Sequence, residues 1–283
     1  MSIIQAIILG ILQGLSEFLP ISSTAHLTFA GKLMGLINPQ HPEQWTAFIA
    51  VVQLGTLLAV LIYFYKELIN IPVHFVKENF TVKRSSLKNQ SNNSKMGWFI
   101  IIGTMPIVTI GIALKKVVEG NLTKDLFIIS ISLIALAIIL AIAERVANFK
   151  KEMEHLTWKD ALFVGLAQCL ALIPGASRSG TTITAGLFLG LNRETAARFS
   201  FILSIPAVLA SGLLEFYQSL KYINNNEMLT LSIATIFAAI SGYLTIGFLL
   251  KFLKSKSTMV FVYYRLLLGA GIIILLTQNF IKP

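Results

Sequence analysis

The chain has little charge. Only 13% of its 283 residues are Asp, Glu, Lys or Arg, against roughly 25% in an average soluble domain. Hydrophobic residues make up 55%, and mean hydropathy is +0.75. So few charges cannot cover a water-facing surface. That argues against a soluble globular enzyme, a disordered tail and a nucleic-acid-binding module. Acidic residues are the scarcer sign, 13 against 23 basic, for a net charge of +10. In a membrane protein such an excess belongs to cytoplasmic loops beside anionic lipid, and no nucleic-acid partner is expected. A single cysteine, Cys169, excludes an intramolecular disulfide. It sits in an apolar run and is expected to be inert. Residues 1–15 have no basic n-region and no A-x-A cleavage site, so the apolar start is expected to stay in the mature protein.

Long apolar runs are plentiful. A helix needs about 20 apolar residues to cross the hydrocarbon core. Six segments qualify, near 45–65, 97–114, 126–146, 197–218, 229–250 and 259–279. Two further regions are apolar but broken. Residues 1–36 contain Glu17, Pro20, Ser22-Ser23-Thr24 and His26. Residues 160–191 contain Pro174, Gly175, Ser177, Arg178, Ser179 and Gly180. Each half is too short to span, which predicts two re-entrant hairpins. Broken backbone at membrane depth is tolerated only inside protein or along a wet cavity.

Loop charge predicts the orientation. Loops 66–96, 145–160 and 251–258 carry thirteen basic residues, whereas the alternate loops carry Lys115, Lys116, Lys124 and Lys221. The positive-inside rule puts the first three in the cytoplasm and both termini outside. Arg193 and Arg198 then stand at the cytoplasmic entrance of the fourth span, where snorkelling is expected. Tract 85–95 reads as a flexible linker, and His41, His74 and His155 fall in predicted loops.

The two broken regions resemble each other. QGLSEFLPISSTAHLTFAGKLMGL at 13–36 and QCLALIPGASRSGTTITAGLFLGL at 168–191 both run Gln, apolar turn, Pro, hydroxyl-rich break, small-residue helix, Gly-Leu. Each is followed by three spans. An odd number of crossings inverts the second copy, so the architecture expected is one all-α polytopic membrane domain over 1–283. It has six transmembrane helices plus two re-entrant hairpins, arranged as an inverted repeat of 1–146 and 160–283. Small and hydroxyl residues that simply help helices pack are the plainer explanation.

Gln13 and Glu17 are spaced i, i+4 and share a helix face. That helix must end near Leu19, because Pro20 disfavours α geometry before it. Ser22, Ser23 and Thr24 are then N-cap candidates for a second helix with His26 in its first turn. A carboxylate at membrane depth is costly and marks a functional site. In the second motif, Gly175 and Gly180 allow a tight turn, successive N–H groups can form an anion nest, and a helix starting near Thr181 adds its positive end. Arg178 supplies a planar fork for phosphate oxygens, and Ser177, Ser179 and Thr182 add hydroxyls. The alternative is Arg178 paired with Glu17 as a structural ion pair. Together the motifs suit phosphoryl chemistry on a ligand with a lipid tail. Glu17 and Gln13 could hold a hard cation, Mg²⁺ or Ca²⁺. His26 could move the proton. Gln53 could reach the site as polar support. Arg265, in the sixth span, reads as structural, paired with a carbonyl or with Glu215.

At these residues the chain resembles the bacterial undecaprenyl-pyrophosphate phosphatase family, of the bacitracin-resistance type. The matching stretches are QGLSEFLPISSTAH at 13–26, VVQLGTLLAV at 51–60, QCLALIPGASRSGTT at 168–182 and RFSFILSIPA at 198–207. The family's first motif falls on Gln13 and Glu17, then Pro20, Ser22, Ser23, Thr24 and His26. Its second falls on Pro174, Gly175, Ser177, Arg178, Ser179 and Thr182. Ala25 departs from it, where the family has Gly. The resemblance implies hydrolysis of undecaprenyl diphosphate to undecaprenyl phosphate and inorganic phosphate, recycling the lipid carrier of peptidoglycan synthesis. It also implies an inverted repeat in the bacterial plasma membrane, with a site open to the extracytoplasmic side. On that reading Arg178, Ser177, Ser179, Thr182, Gly175 and Ser22 hold the diphosphate. Glu17, with Gln13, holds the metal or positions the attacking water, and His26 is the general acid/base or a nucleophile. Ser23 or Ser22, activated by His26, is the rival nucleophile, and direct attack by water stays open. A polyprenyl-phosphate transporter or flippase using the same cradle is the rival. Besides the polyprenyl diphosphate and the phospholipid bilayer, a homodimer is compatible with the sequence.

Overall fold

A computed structural model describes the chain except residues 39, 82–85, 87–88, 115–123, 220–224 and 282–283. Eleven α-helices are described: α1 (Ile3–Phe18), α2 (Ser23–Leu33), α3 (Pro42–Tyr63), α4 (Tyr65–Phe80), α5 (Asn92–Ala113), α6 (Leu126–Val146), α7 (Trp158–Gln168), α8 (Arg178–Phe188), α9 (Arg193–Ser219), α10 (Asn225–Leu253) and α11 (Met259–Thr277). Six of them, α3, α5, α6, α9, α10 and α11, contain runs long and apolar enough to cross a membrane. The six predicted spans thus lie within the observed helices to a few residues. The chain is an all-helical, multi-pass membrane protein.

Local chemistry sets the short helices. Ser2 and Gln5 close a capping box at the start of α1. The helix stops at Leu19, held extended at φ −64°, ψ 140° by the proline that follows. Ser22 caps α2, accepting from the Ala25 N–H. Ser177 caps α8 in the same way, accepting from the Gly180 N–H. That helix therefore begins at Arg178 rather than near Thr181. Ser22 and Ser177 are two of the few non-glycine residues with positive φ, at 74° and 71°. Such a conformation costs an L-residue about 1–3 kcal/mol and persists where the surroundings over-determine it.

Those two serines belong to matching courses of chain. Superposing Ser22 on Ser177 also brings Gly35 onto Gly190, both with positive φ, and Gln13 onto Gln168. It pairs Ser23–Leu33 with Arg178–Phe188, helices of equal length. The packing follows the same correspondence: α1 lies on α10 as α7 lies on α5. Helices in lipid gain little from apolar burial against one another, so close approach decides. A Cβ on Gly10 would run into the Ala234 carbonyl, and one on Gly165 into the Gly103 carbonyl.

Ionisable groups, some of them buried, tie the bundle together. Arg265 of α11 is fully buried. It donates to three carbonyls, Leu133 at 3.2 Å, Pro20 at 3.4 Å and Ala176 at 3.1 Å. The carbonyl alternative for Arg265 thus holds. Arg193 and Arg198 are paired, not merely snorkelling. Arg193 meets Glu144 at 2.6 Å and covers the Phe149 ring, with its guanidinium 3.8 Å from the centroid. Arg198 meets Glu67 at 2.6 Å. Glu144 also accepts from Ser257 and Thr258, tying α6 to the turn between α10 and α11.

The predicted loop 66–96 is only partly a loop. Tyr65, Ile69, Val73, Val76 and Phe80 recur at helical spacing and form the exposed apolar side of α4, which also carries Lys66, His74 and Lys77. Of the tract expected to be flexible, Asn92–Lys95 is already the first turn of α5. Residues 85, 87 and 88 lie outside the described ones, as do Lys83, Arg84, Lys115, Lys116 and Lys221.

Candidate active site

A cavity of about 620 Å³ lies where the two broken regions meet α3, α5 and α9. Its polar end is lined by Glu17, Ser22, Ser23, Gln53, Ser177 and Arg178. Side chains such as Ile49, Ile107, Leu172 and Val208 make most of the remaining wall apolar, and Thr28, Thr46, Lys124, Gln168, Ser211 and Glu215 also line it. One end that can bind charge and a long apolar remainder suit an amphiphile.

Glu17 anchors the polar end. It is buried and accepts four donors. Gln13 Nε2 lies at 2.9 Å and Ser23 Oγ at 2.7 Å from Oε2, while Gln53 Nε2 lies at 2.7 Å and Arg178 Nη2 at 2.6 Å from Oε1. A carboxylate only accepts, so both glutamines turn their amide nitrogens to it. The pairing of Arg178 with Glu17 is therefore present, but it uses one nitrogen. Arg178 Nε and Nη1 are buried without a partner. An uncompensated donor of that kind costs about 1–3 kcal/mol.

The other expected site residues fall in three places. Gly175 lines the cavity at φ 85°, backed so closely on the Ile129 carbonyl that no side chain fits. Ser179 and Thr182 are turned away. With α8 starting at Arg178, Ser179 Oγ donates to the Leu19 carbonyl at 3.0 Å, and Thr182 Oγ1 meets Ser200 Oγ. Neither lines the cavity. They join the two broken regions and α9 instead of facing a ligand. His26 is also outside the lining. Its Nδ1 lies 2.7 Å from the Ser22 carbonyl and its Nε2 2.7 Å from the Tyr264 hydroxyl. A carbonyl can only accept, so Nδ1 carries the proton and Nε2 accepts from Tyr264.

The oxygens present are of the kind a hard cation takes, but the donors now on Glu17 would have to give way to one. Beside Glu17, Gln13 Oε1 is a buried oxygen with no partner, and Mg²⁺ and Ca²⁺ take oxygen ligands. Among the described residues no cluster of three or more His, Cys, Asp or Glu could hold a metal. Any cation here would lean on one carboxylate, amide oxygens and the ligand's own phosphates.

The family described as bacitracin resistance protein BacA matches residues 6–271. The chain belongs to the BacA family. It is 58% identical over 273 residues to an undecaprenyl-diphosphatase of Syntrophobacter fumaroxidans, covering 96% of this chain and 97% of that one. It is 48% identical over 292 residues to an undecaprenyl-diphosphatase of Chlorobaculum tepidum, covering the whole of both. Among the cavity residues of this BacA chain outside the expected site are Thr28, Trp45 and Gln168. Each carries a buried polar atom without a partner. A sequence signal existed for Gln168 alone, which stands in the second broken region where Gln13 stands in the first. Tyr264, a tyrosine in an ordinary span, offered none.

Proposed function

We propose that this protein hydrolyses undecaprenyl diphosphate to undecaprenyl phosphate and inorganic phosphate in the bacterial plasma membrane, recycling the lipid carrier of peptidoglycan synthesis. The observation that carries this reading is the contact of Ser23 Oγ with Glu17 at 2.7 Å, beside the two unpaired nitrogens of Arg178. A hydroxyl on a carboxylate is an activated nucleophile, and pure anion binding needs no carboxylate. Kinship with proteins named undecaprenyl-diphosphatase supports the same lipid.

In this mechanism the apolar wall takes the prenyl chain. Arg178 and Ser177 take oxygens of the diphosphate, aided by the positive ends of α2 and α8. Ser23 Oγ attacks the terminal phosphorus and its proton passes to Glu17. The bond from that phosphorus to the bridging oxygen breaks, and undecaprenyl phosphate leaves with the proton. Water then attacks the phosphoserine, Glu17 takes its proton, and orthophosphate departs as the Ser23 hydroxyl is restored. Ser22 is less suited to attack because its hydroxyl caps α2. His26 holds the Ser22 carbonyl and so positions the break. Mg²⁺ or Ca²⁺, held by Glu17 and Gln13, would supply charge neutralisation at the phosphates. The two halves form an inverted repeat of re-entrant hairpins, and the site opens to the extracytoplasmic side.

The test uses purified protein in detergent with undecaprenyl diphosphate and Mg²⁺ or Ca²⁺. Phosphate release is expected, and Arg178→Ala and Glu17→Ala should each abolish it. Acid quenching should leave a phosphoserine on the Ser23 peptide. Lipid movement across vesicles without phosphate release would favour the transporter reading instead.

A further inference from the structure

Gln168 ends α7 and is fully buried, yet neither its Nε2 nor its Oε1 has a hydrogen-bond partner. It lines the cavity that holds Glu17 and Arg178. Its counterpart, Gln13, shows what such an amide ordinarily does. Gln13 stands four residues before Glu17 and donates to it at 2.9 Å. Four residues after Gln168 stands Leu172, where a carboxylate would complete the same pair. The second broken region therefore keeps the amide and lacks its partner.

A buried amide left unmatched is destabilising, and a leucine or methionine there would relieve the cost. The unmatched groups are also concentrated. Of the ten buried side-chain atoms without a partner among the described residues, six belong to Arg178, Gln168, Thr28 and Trp45. All four residues line this one cavity. At the polar end these groups include Arg178 Nε and Nη1, which only donate, so the ligand they await is rich in acceptor oxygens.

We propose that Gln168 is a substrate-binding residue, whose amide N–H donates to a diphosphate oxygen beside the Arg178 guanidinium. The assignment rests on the phosphatase reading for its substrate, but the amide's role can be tested apart from turnover. Substrate binding and Tm pull in opposite directions at this position. Loss of a hydrogen bond to a charged oxygen weakens binding by about tenfold or more. Loss of the same unmatched amide leaves the unliganded protein as stable or more so.

Gln168→Met keeps the length and removes the amide. Gln168→Glu keeps the shape and adds a repelling charge. Both are compared with the unaltered chain for KM and kcat of phosphate release from undecaprenyl diphosphate. Tm is recorded with and without inorganic pyrophosphate. The expected result for Gln168→Met is a KM raised about tenfold, a smaller change in kcat, a Tm equal or higher, and a diminished pyrophosphate-induced rise in Tm. Gln168→Glu should bind more weakly still. A Gln168→Met protein with unchanged KM and pyrophosphate response overturns the proposal. So does one that fails to fold or loses Tm, because the amide is then structural. If the unaltered protein is stabilised by pyrophosphate yet releases no phosphate, the phosphatase reading falls. The role of Gln168 is then decided by the pyrophosphate response alone.

Discussion

Arg178 and Glu17, 161 residues apart in the chain, meet at 2.6 Å through a single nitrogen of the guanidinium. The pair is both a structural tie and a binding device, because the remaining two nitrogens stay unmatched at the cavity. Arg178→Lys separates the two roles. One ammonium can meet Glu17 or a phosphate, but it lacks the fork that serves both. Phosphate release should fall about 10²–10³-fold, with Tm close to that of the unaltered protein. Arg178→Ala should in addition lower Tm, since it strands a buried carboxylate, a cost of about 3–5 kcal/mol.

Ser23 and His26 should separate in the same assay. Ser23→Ala removes the hydroxyl on Glu17 and should reduce phosphate release to background while Tm holds. Tyr264→Phe removes only the donor to His26 Nε2, and its effect should stay within about tenfold. A Tyr264→Phe loss as deep as that of Ser23→Ala would put His26 back at the reacting atoms.

Gly165 sits against Gly103, with the two backbones in direct approach. Gly165→Ala should push α7 off α5 and lower Tm, at a cost of about 1–3 kcal/mol for overpacking. Gly271, where an added Cβ would meet nothing of the neighbouring helices within 4 Å, is the control: Gly271→Ala should not lower Tm.

Asp160 gives the pH dependence a sign. Burial raises its pKa, but hydrogen bonds from Lys151 and Thr157 outweigh that, and the net shift is below the ordinary 3.8. A carboxyl whose folded pKa is depressed adds stability above its unfolded pKa and loses it as pH falls through the folded value. Tm should therefore drop on acidification below about pH 4. In Asp160→Asn that part of the slope should vanish, together with some stability at neutral pH.

The spans were legible because lipid demands long apolar helices, and composition reports those directly. Glu17 and Arg178 were legible because charge is rare at membrane depth. What escaped the sequence depends on helix phase. A start at Arg178 instead of Thr181 was enough to carry Ser179 to Leu19 and Thr182 to Ser200, away from the cavity. α4 escaped because its lysines read as loop charge while its apolar residues keep helical spacing. His26 has the right chemistry for a proton carrier, and nothing in the sequence signals its contacts with the Ser22 carbonyl and the Tyr264 hydroxyl.

Arg265 has a mechanical consequence. It grips the carbonyls of Pro20 and Ala176, one in each broken region, and of Leu133 in α6. To rock one half of the molecule against the other, as a turnstile must, the bonds from Arg265 to Pro20 and Leu133, which cross between the halves, would have to break together. The two breaks are riveted to one post, and the molecule is framed as a crucible with a fixed floor.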